Sequence, residues 1–216
     1  MQCAVSIPDL ALLPEAVSSG PDLLELRLDL MGGATPAMVK EALQGVGIPV
    51  ILTLRSSAEG GRFEGGPGEW WETIGEFLPF GAFVDVERRF RAHAASIRAR
   101  GKLVLSSVHM ATMPGPVELQ ALYRELKSFG DIPKVVVSPA DREDVLSLLS
   151  FTLHAEKPVV TSIMGERYRW ARLLLPLFGS ELLFCHAGNA ASPGQYHVRE
   201  WKAFLAMAGD EPATRH

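Results

Sequence analysis

The alternation of apolar and polar positions along the chain is a couplet repeated eight times: a short apolar run, then a stretch with helical spacing. The runs fall at 2–6, 23–29, 49–55, 82–87, 103–109, 134–138, 158–164 and 182–186, each of strand length and bounded by turn-forming or charged residues. Between them apolar residues recur three and four positions apart, the spacing of one helix face. Trp70, Trp71, Ile74, Phe77 and Leu78 share such a face, as do Leu119, Leu122, Leu126 and Phe129. So do Val145, Leu149 and Leu153 and, near the end, Val198, Trp201 and Leu205. Gly45, Gly101, Gly130 and Gly179 stand where helices are expected to stop. The polar stretch 209–216 is expected to fray.

Repeated strand-then-helix units imply a parallel sheet, because parallel neighbours need a helical crossover. Eight units in 216 residues, 27 residues each, close most simply into one compact (β/α)8 TIM barrel, an α/β fold spanning 1–216 as a single domain. A doubly wound open sheet is the alternative. It lacks the G-x-G-x-x-G that would follow its first strand.

Within the predicted strands the charges share parity. Glu25, Arg27 and Asp29 lie on one face with Leu26 and Leu28 on the other; Thr53 pairs with Arg55, Asp85 with Glu87, and Ser107 with His109. In a barrel the wholly apolar face packs on the helices, so the polar face points inward. Buried ions are costly unless paired, and Arg27, Arg55 and Lys134 stand against Glu25, Asp29, Asp85 and Glu87 in near balance. A structural ion-pair lattice accounts for any one of these residues. It accounts less well for Arg27, Arg55, Glu87 and His109 together, all at the last positions of their strands, the face on which such barrels carry their sites.

Two candidates carry reactive chemistry. His109 at a strand end becomes a base if a carboxylate fixes its tautomer, and Glu59 lies in the loop after the third strand. Lys134 follows Pro133 and reads blandly as a lysine closing the bottom of a strand; pointing inward beside Arg27 and Arg55 it would instead be a desolvated amine nucleophile. By pattern alone Arg172 is a surface helix residue. Gly60, Gly61, Gly65, Gly66 and Gly68 predict a mobile loop that is no phosphate cradle, since no Gly-Lys-Ser/Thr follows. Residues 189–195 predict a second flexible loop at the same mouth, and two such loops suggest a lid.

Composition narrows the setting. A net charge of −4 does not suggest a nucleic-acid binder, and no apolar run approaches the ~20 residues of a membrane span. Cys3 and Cys185 have neither disulfide-scaffold density nor metal-site spacing, so a reducing compartment is expected and no metal site. The first apolar stretch stops at Pro8 with no basic residue before it, so no signal peptide is expected and the cytoplasm is the expected location.

A set of motifs then runs through the chain in order: Glu25-Leu26-Arg27-Leu28-Asp29, Thr53-Leu54-Arg55 with Glu59-Gly60-Gly61, Asp85-Val86-Glu87, Ser106-Ser107-Val108-His109, Asp131-Ile132-Pro133-Lys134, Met164 with Arg172 eight residues on, and Ser192-Pro193-Gly194-Gln195. In this order and spacing the chain resembles the type I, Schiff-base 3-dehydroquinate dehydratases. The resemblance implies a (β/α)8 barrel, no cofactor, often a homodimer, and dehydration of 3-dehydroquinate to 3-dehydroshikimate by same-face elimination. By resemblance Lys134 forms the imine, His109 is the general acid and base, and Glu59 orients it. Arg172 holds the substrate carboxylate; Ser6, Glu25, Arg27, Arg55, Ser192 and Gln195 hold the hydroxyls; Met164 packs near the imine. Two positions depart from the family: Ala191 replaces a frequent serine, with Ser192 beside it, and Tyr168, Arg169 and Trp170 are bulky where small residues are usual. A class I aldolase on the same barrel, or a non-catalytic binding barrel, are the competing readings.

Overall fold

A computed structural model describes residues 1–209. Its core is a set of eight parallel strands: β1 Gln2–Ile7, β2 Leu23–Arg27, β3 Val50–Thr53, β4 Phe83–Glu87, β5 Leu103–Met110, β6 Ile132–Val137, β7 Val160–Ile163 and β8 Leu182–His186. The strands pair in the order β7-β6-β5-β4-β3-β2-β1-β8, and a two-residue strand, β9 Tyr196–His197, adds to β8. Helices α1 Leu13–Ser18, α2 Pro36–Ala42, α3 Pro67–Phe77, α4 Ala94–Arg98, α5 Pro116–Phe129, α6 Arg142–His154, α7 Ala171–Leu174 and α8 Val198–Ala208 follow the eight strands in turn. This is the (β/α)8 barrel expected. No helix among the described residues is long and apolar enough to cross a membrane. Of the tail expected to fray, only Gly209 is among the described residues; it closes α8 in the left-handed conformation at φ +70°.

The last side of the barrel closes differently from the rest. Between β7 and β8 no ladder forms; Glu181 N–H donates to Val159 O at 2.8 Å. Ser180 Oγ accepts from Thr161 N–H at 3.0 Å and donates to Thr161 O at 3.2 Å. A single buried hydroxyl thus serves both polar groups of Thr161 that a ladder would otherwise occupy.

Two hydrophobic bodies hold the fold. The larger lies between strands and helices, from Val5, Leu26 and Val86 outward to Trp70, Ile74, Leu119, Leu126 and Trp201. The smaller fills the lower barrel: Ala4, Leu23, Ile51, Leu105, Val160, Leu182 and Phe184. Burial of this kind removes apolar surface from water and is the main driving force for the barrel. The helix faces match expectation with one exception: Leu153 is 54% exposed, and Thr152 is buried instead. Eight residues beyond Val145 a helix has turned about 80° away, whereas seven return it to the same side. The Thr152 hydroxyl is satisfied there by Leu148 O and by Thr161 Oγ. Gly130 ends α5 with no positive φ; a β-carbon there would lie 2.1 Å from Ser106 Oγ, so close packing requires the glycine.

Candidate active site

The strand register carries the polar parity around the barrel: Ser6 pairs with Glu25, Arg27 with Thr53, Thr53 with Asp85, Glu87 with Ser107, and Ser107 with Lys134. Every one of these side chains faces inward, above the apolar layer and toward the C-terminal ends of the strands. The strand ends differ slightly from expectation. β2 stops at Arg27, leaving Asp29 in the following turn, where it accepts from Arg27 Nε at 2.9 Å and Nη2 at 2.8 Å. β6 starts at Ile132, two residues early, because proline is tolerated near the beginning of a strand. Lys134 is therefore inside the strand, 4% exposed, not at its lower end.

The interior ions form one lattice. Asp85 accepts from Lys134 Nζ at 2.9 Å, from Arg55 Nη2 at 2.8 Å and from Ser107 Oγ at 2.5 Å. Glu87 accepts from Arg55 Nη1 at 3.1 Å and from the Ser56 amide and hydroxyl at 2.7 and 2.5 Å. Burial alone would raise the Asp85 carboxyl, but Arg55 and Lys134 outweigh it and hold the group well below the usual carboxylate range. The same carboxylates outweigh burial at Arg55 and raise its guanidinium. Glu25 accepts from Ser6 Oγ at 2.5 Å and Thr53 Oγ1 at 2.8 Å.

Glu59 and His109 meet as expected. Glu59 Oε2 accepts from the His109 amide at 3.0 Å and lies 2.8 Å from Nδ1. The amide N–H marks that oxygen as an acceptor, and once Glu59 is ionised the proton belongs on Nδ1 and the free lone pair on Nε2. Burial pushes the Glu59 carboxyl up to about 8, with Arg55 pulling it back. Burial, then Arg55 and Lys134, push the His109 imidazole well below its usual value. The loop bearing Glu59, expected to be mobile, is a bonded turn. Phe63 N–H donates to Arg55 O, Ser57 N–H to Phe63 O, and Gly61 N–H to Ser56 O, at 2.8–3.0 Å. A β-carbon at Gly61 would lie 2.2 Å from Arg55 O, so this glycine permits close approach and does not supply slack.

These groups open onto a cavity of about 290 Å³ lined by Glu25, Arg27, Arg55, Glu59, His109, Lys134, Met164, Arg172, Ser192 and Gln195, with Gly60, Val136, Ser162, Gly165, Phe184 and Pro193 completing the wall. Ser6 is the one candidate that does not line it; it stands behind Glu25 and accepts from Gln195 Nε2 at 3.1 Å. Gln195 Oε1 takes the amides of Ala191 and Ser192 at 2.9 and 3.3 Å, so both ends of Gln195 shape the loop. Ser192, not residue 191, is the hydroxyl on the cavity wall.

Arg172 is buried, 5% exposed, which pattern alone did not suggest. Helix α7 is a single turn seated over the mouth, too short to show a periodic apolar face. Its Nη2 donates to Pro193 O at 3.1 Å, its Nε has no partner, and no carboxylate forms an ion pair with it among the described residues. Burial and the nearby Arg169 push it down to about 10. A buried guanidinium without a counter-ion is a prepared anion site. Sequence reasoning also passed over Phe184 and Ser56, and gave Pro193 no role of its own. The parity rule applied to 182–186 would have placed Phe184 inward.

A family model described as Type I 3-dehydroquinase matches residues 7–212. Over 207 residues the chain is 42% identical to a Methanoregula boonei protein named 3-dehydroquinate dehydratase, covering 96% of this chain and 99% of that one. A Methanospirillum hungatei protein of the same name is 39% identical, covering 88% of this chain and 73% of that one. The solved 3-dehydroquinate dehydratase of Geobacillus kaustophilus is similar with a TM-score of 0.89 at 25% identity, covering 99% of this chain and 92% of that one.

Proposed function

The chain belongs to the type I 3-dehydroquinase family, and from that membership and the geometry of the barrel mouth we propose that Lys134 and His109 perform the chemistry. The reaction removes water from 3-dehydroquinate to give 3-dehydroshikimate in the shikimate pathway, on the route to chorismate and the aromatic amino acids. One observation carries the residue assignment: a buried lysine and an oriented imidazole open onto one cavity with a guanidinium that lacks a counter-ion.

The substrate carboxylate is held by Arg172, which sets the ring with its ketone toward Lys134. The Lys134 amine adds to the C3 ketone and, with loss of water, gives a protonated imine that acidifies C2. His109 Nε2 removes a C2 proton and later gives it to the departing C1 hydroxyl, so the same group acts as base and acid on one face. Glu59 keeps the proton on Nδ1. Arg27, Arg55, Glu25, Ser192 and Gln195 surround the hydroxyls, Ser6 holds Glu25 and Gln195 in place, and Met164 packs over the reacting carbon. A cytoplasmic setting and a homodimer go with this reading; the free, buried thiols of Cys3 and Cys185 favour a reducing compartment.

Borohydride added during turnover reduces an imine to a stable secondary amine. The expected result is a substrate-dependent adduct mapped to Lys134 in the native protein and also in His109→Ala, whose turnover falls ~10²–10⁴-fold or more. A native protein with neither adduct nor enone absorbance would overturn the reading.

A further inference from the structure

The nitrogen of Lys134 is held from two sides. It donates to Asp85 Oδ2 at 2.9 Å and lies 3.9 Å from the centroid of the Phe184 ring. Phe184 points inward from β8, where its neighbour on β1 is Ala4, a side chain small enough to leave the barrel interior to the ring. Asp85 reaches the nitrogen from β4. The contact lies at the floor of the cavity, where the polar lattice meets the apolar layer and both side chains are buried. A ring face is most attractive to a cation under those conditions.

We propose that Asp85 and the face of Phe184 form a cradle for positive charge on the Lys134 nitrogen, and that Phe184 is a catalytic residue because its ring stabilises the iminium. The inference rests on the lysine-imine reading above. Charge on this nitrogen alternates during that reaction. The ammonium gives up one proton, the amine adds to the ketone carbon, and the carbinolamine takes up a proton and loses water. The nitrogen then carries one hydrogen and the positive charge of the C=N bond. Loss of the C2 proton moves the C–H electron pair into an enamine and leaves nitrogen neutral. Departure of the C1 hydroxyl, protonated to water, returns the charge to nitrogen, and hydrolysis restores the lysine. An ammonium has three N–H groups and an iminium one. Asp85 keeps that one; the ring needs none, so its attraction survives where a second hydrogen-bond acceptor would be left without a donor. The cradle therefore favours imine formation and water expulsion, the two steps in which charge appears on nitrogen.

The test replaces Phe184 with 4-fluoro-, 3,5-difluoro- and 3,4,5-trifluorophenylalanine, which keep the ring's shape and withdraw charge from its face. Two readouts are taken: the fraction of Lys134 trapped by borohydride at limiting 3-dehydroquinate, and, without substrate, the rate of Lys134 acetylation by acetic anhydride at neutral pH, a reaction of the free amine that passes through no iminium. Along the series trapped imine should fall and acetylation should rise, each on the order of tenfold in total. A ring that only fills space would leave both flat, and that result would overturn the proposal. If the native protein traps no 3-dehydroquinate, the imine reading falls, and with it the claim that Phe184 is catalytic. The acetylation series then decides whether the ring holds the ammonium at all.

Discussion

Replacing Asp85 by asparagine removes one charge from the barrel interior and little volume. The carboxylate accepts from two cations and a hydroxyl, at 2.9, 2.8 and 2.5 Å, while only 2% exposed. Arg55 keeps Glu87 as a partner, but Lys134 has no other ion pair among the described residues. An asparagine must also turn its NH₂ toward one of three donors. Breaking a buried pair by removing one partner typically costs about 3–5 kcal/mol, roughly a fifth or more of the ~5–15 kcal/mol that holds a typical domain together. Urea unfolding of both proteins at several pH values measures it. Because the folded-state carboxyl is depressed, its stabilisation is complete above the unfolded value of ~3.9 and is lost only as pH falls below that toward the folded value. The gap between wild type and Asp85→Asn should therefore be constant from pH 8 to about 5 and shrink below ~4. A gap under ~1 kcal/mol at pH 7, or one that widens on acidification, would refute the view that Asp85 anchors the lattice.

Three further outcomes follow from the site. In the free enzyme kcat/KM should rise with pH through about 8 as Glu59 loses its proton and the Nδ1 tautomer of His109 forms; Glu59→Gln should abolish that limb and leave a flatter profile at lower activity. Arg172→Ala should raise KM roughly 10–100-fold with a smaller change in kcat, the value of a charge-assisted hydrogen bond to a carboxylate, and Arg172→Lys should recover part of it. Gly61→Ala, whose β-carbon meets Arg55 O at 2.2 Å, should displace the turn that carries Glu59, lowering kcat at least tenfold and stability by about 1–3 kcal/mol, as steady-state kinetics and thermal melts will show.

Much of this was legible from alternation alone. Parity in 23–29 and 82–87 placed the charges inside the barrel because a strand offers only two faces, and register then propagates that choice from strand to strand. What escaped were features set by tertiary contact. Pro133 reads as a boundary, yet β6 begins before it, which moves Lys134 from the rim into the wall. Arg172 sits on a helix of four residues, where no periodicity can distinguish an inner from an outer face. The five glycines of 60–68 suggested slack, whereas Gly61 is required by a backbone approach that only coordinates reveal. Residue roles came from motif order, which local physics alone could not have supplied.

The unlaced side of the barrel has a consequence for hydrogen exchange. Seven pairs of neighbours among the eight barrel strands are joined by ladders, while β7 and β8 meet through one backbone hydrogen bond and the Ser180 hydroxyl. Amides on the facing edges of these two strands should exchange by local opening, well before those of β4, β5 and β6 report global unfolding. The segments rising from β7 and β8 carry Met164 on one side and Ser192 and Gln195 on the other. The cover of the cavity is thus hung from the side on which the wall is least laced, and it should open by local fluctuation while β5 and β6, which carry His109 and Lys134, stay protected.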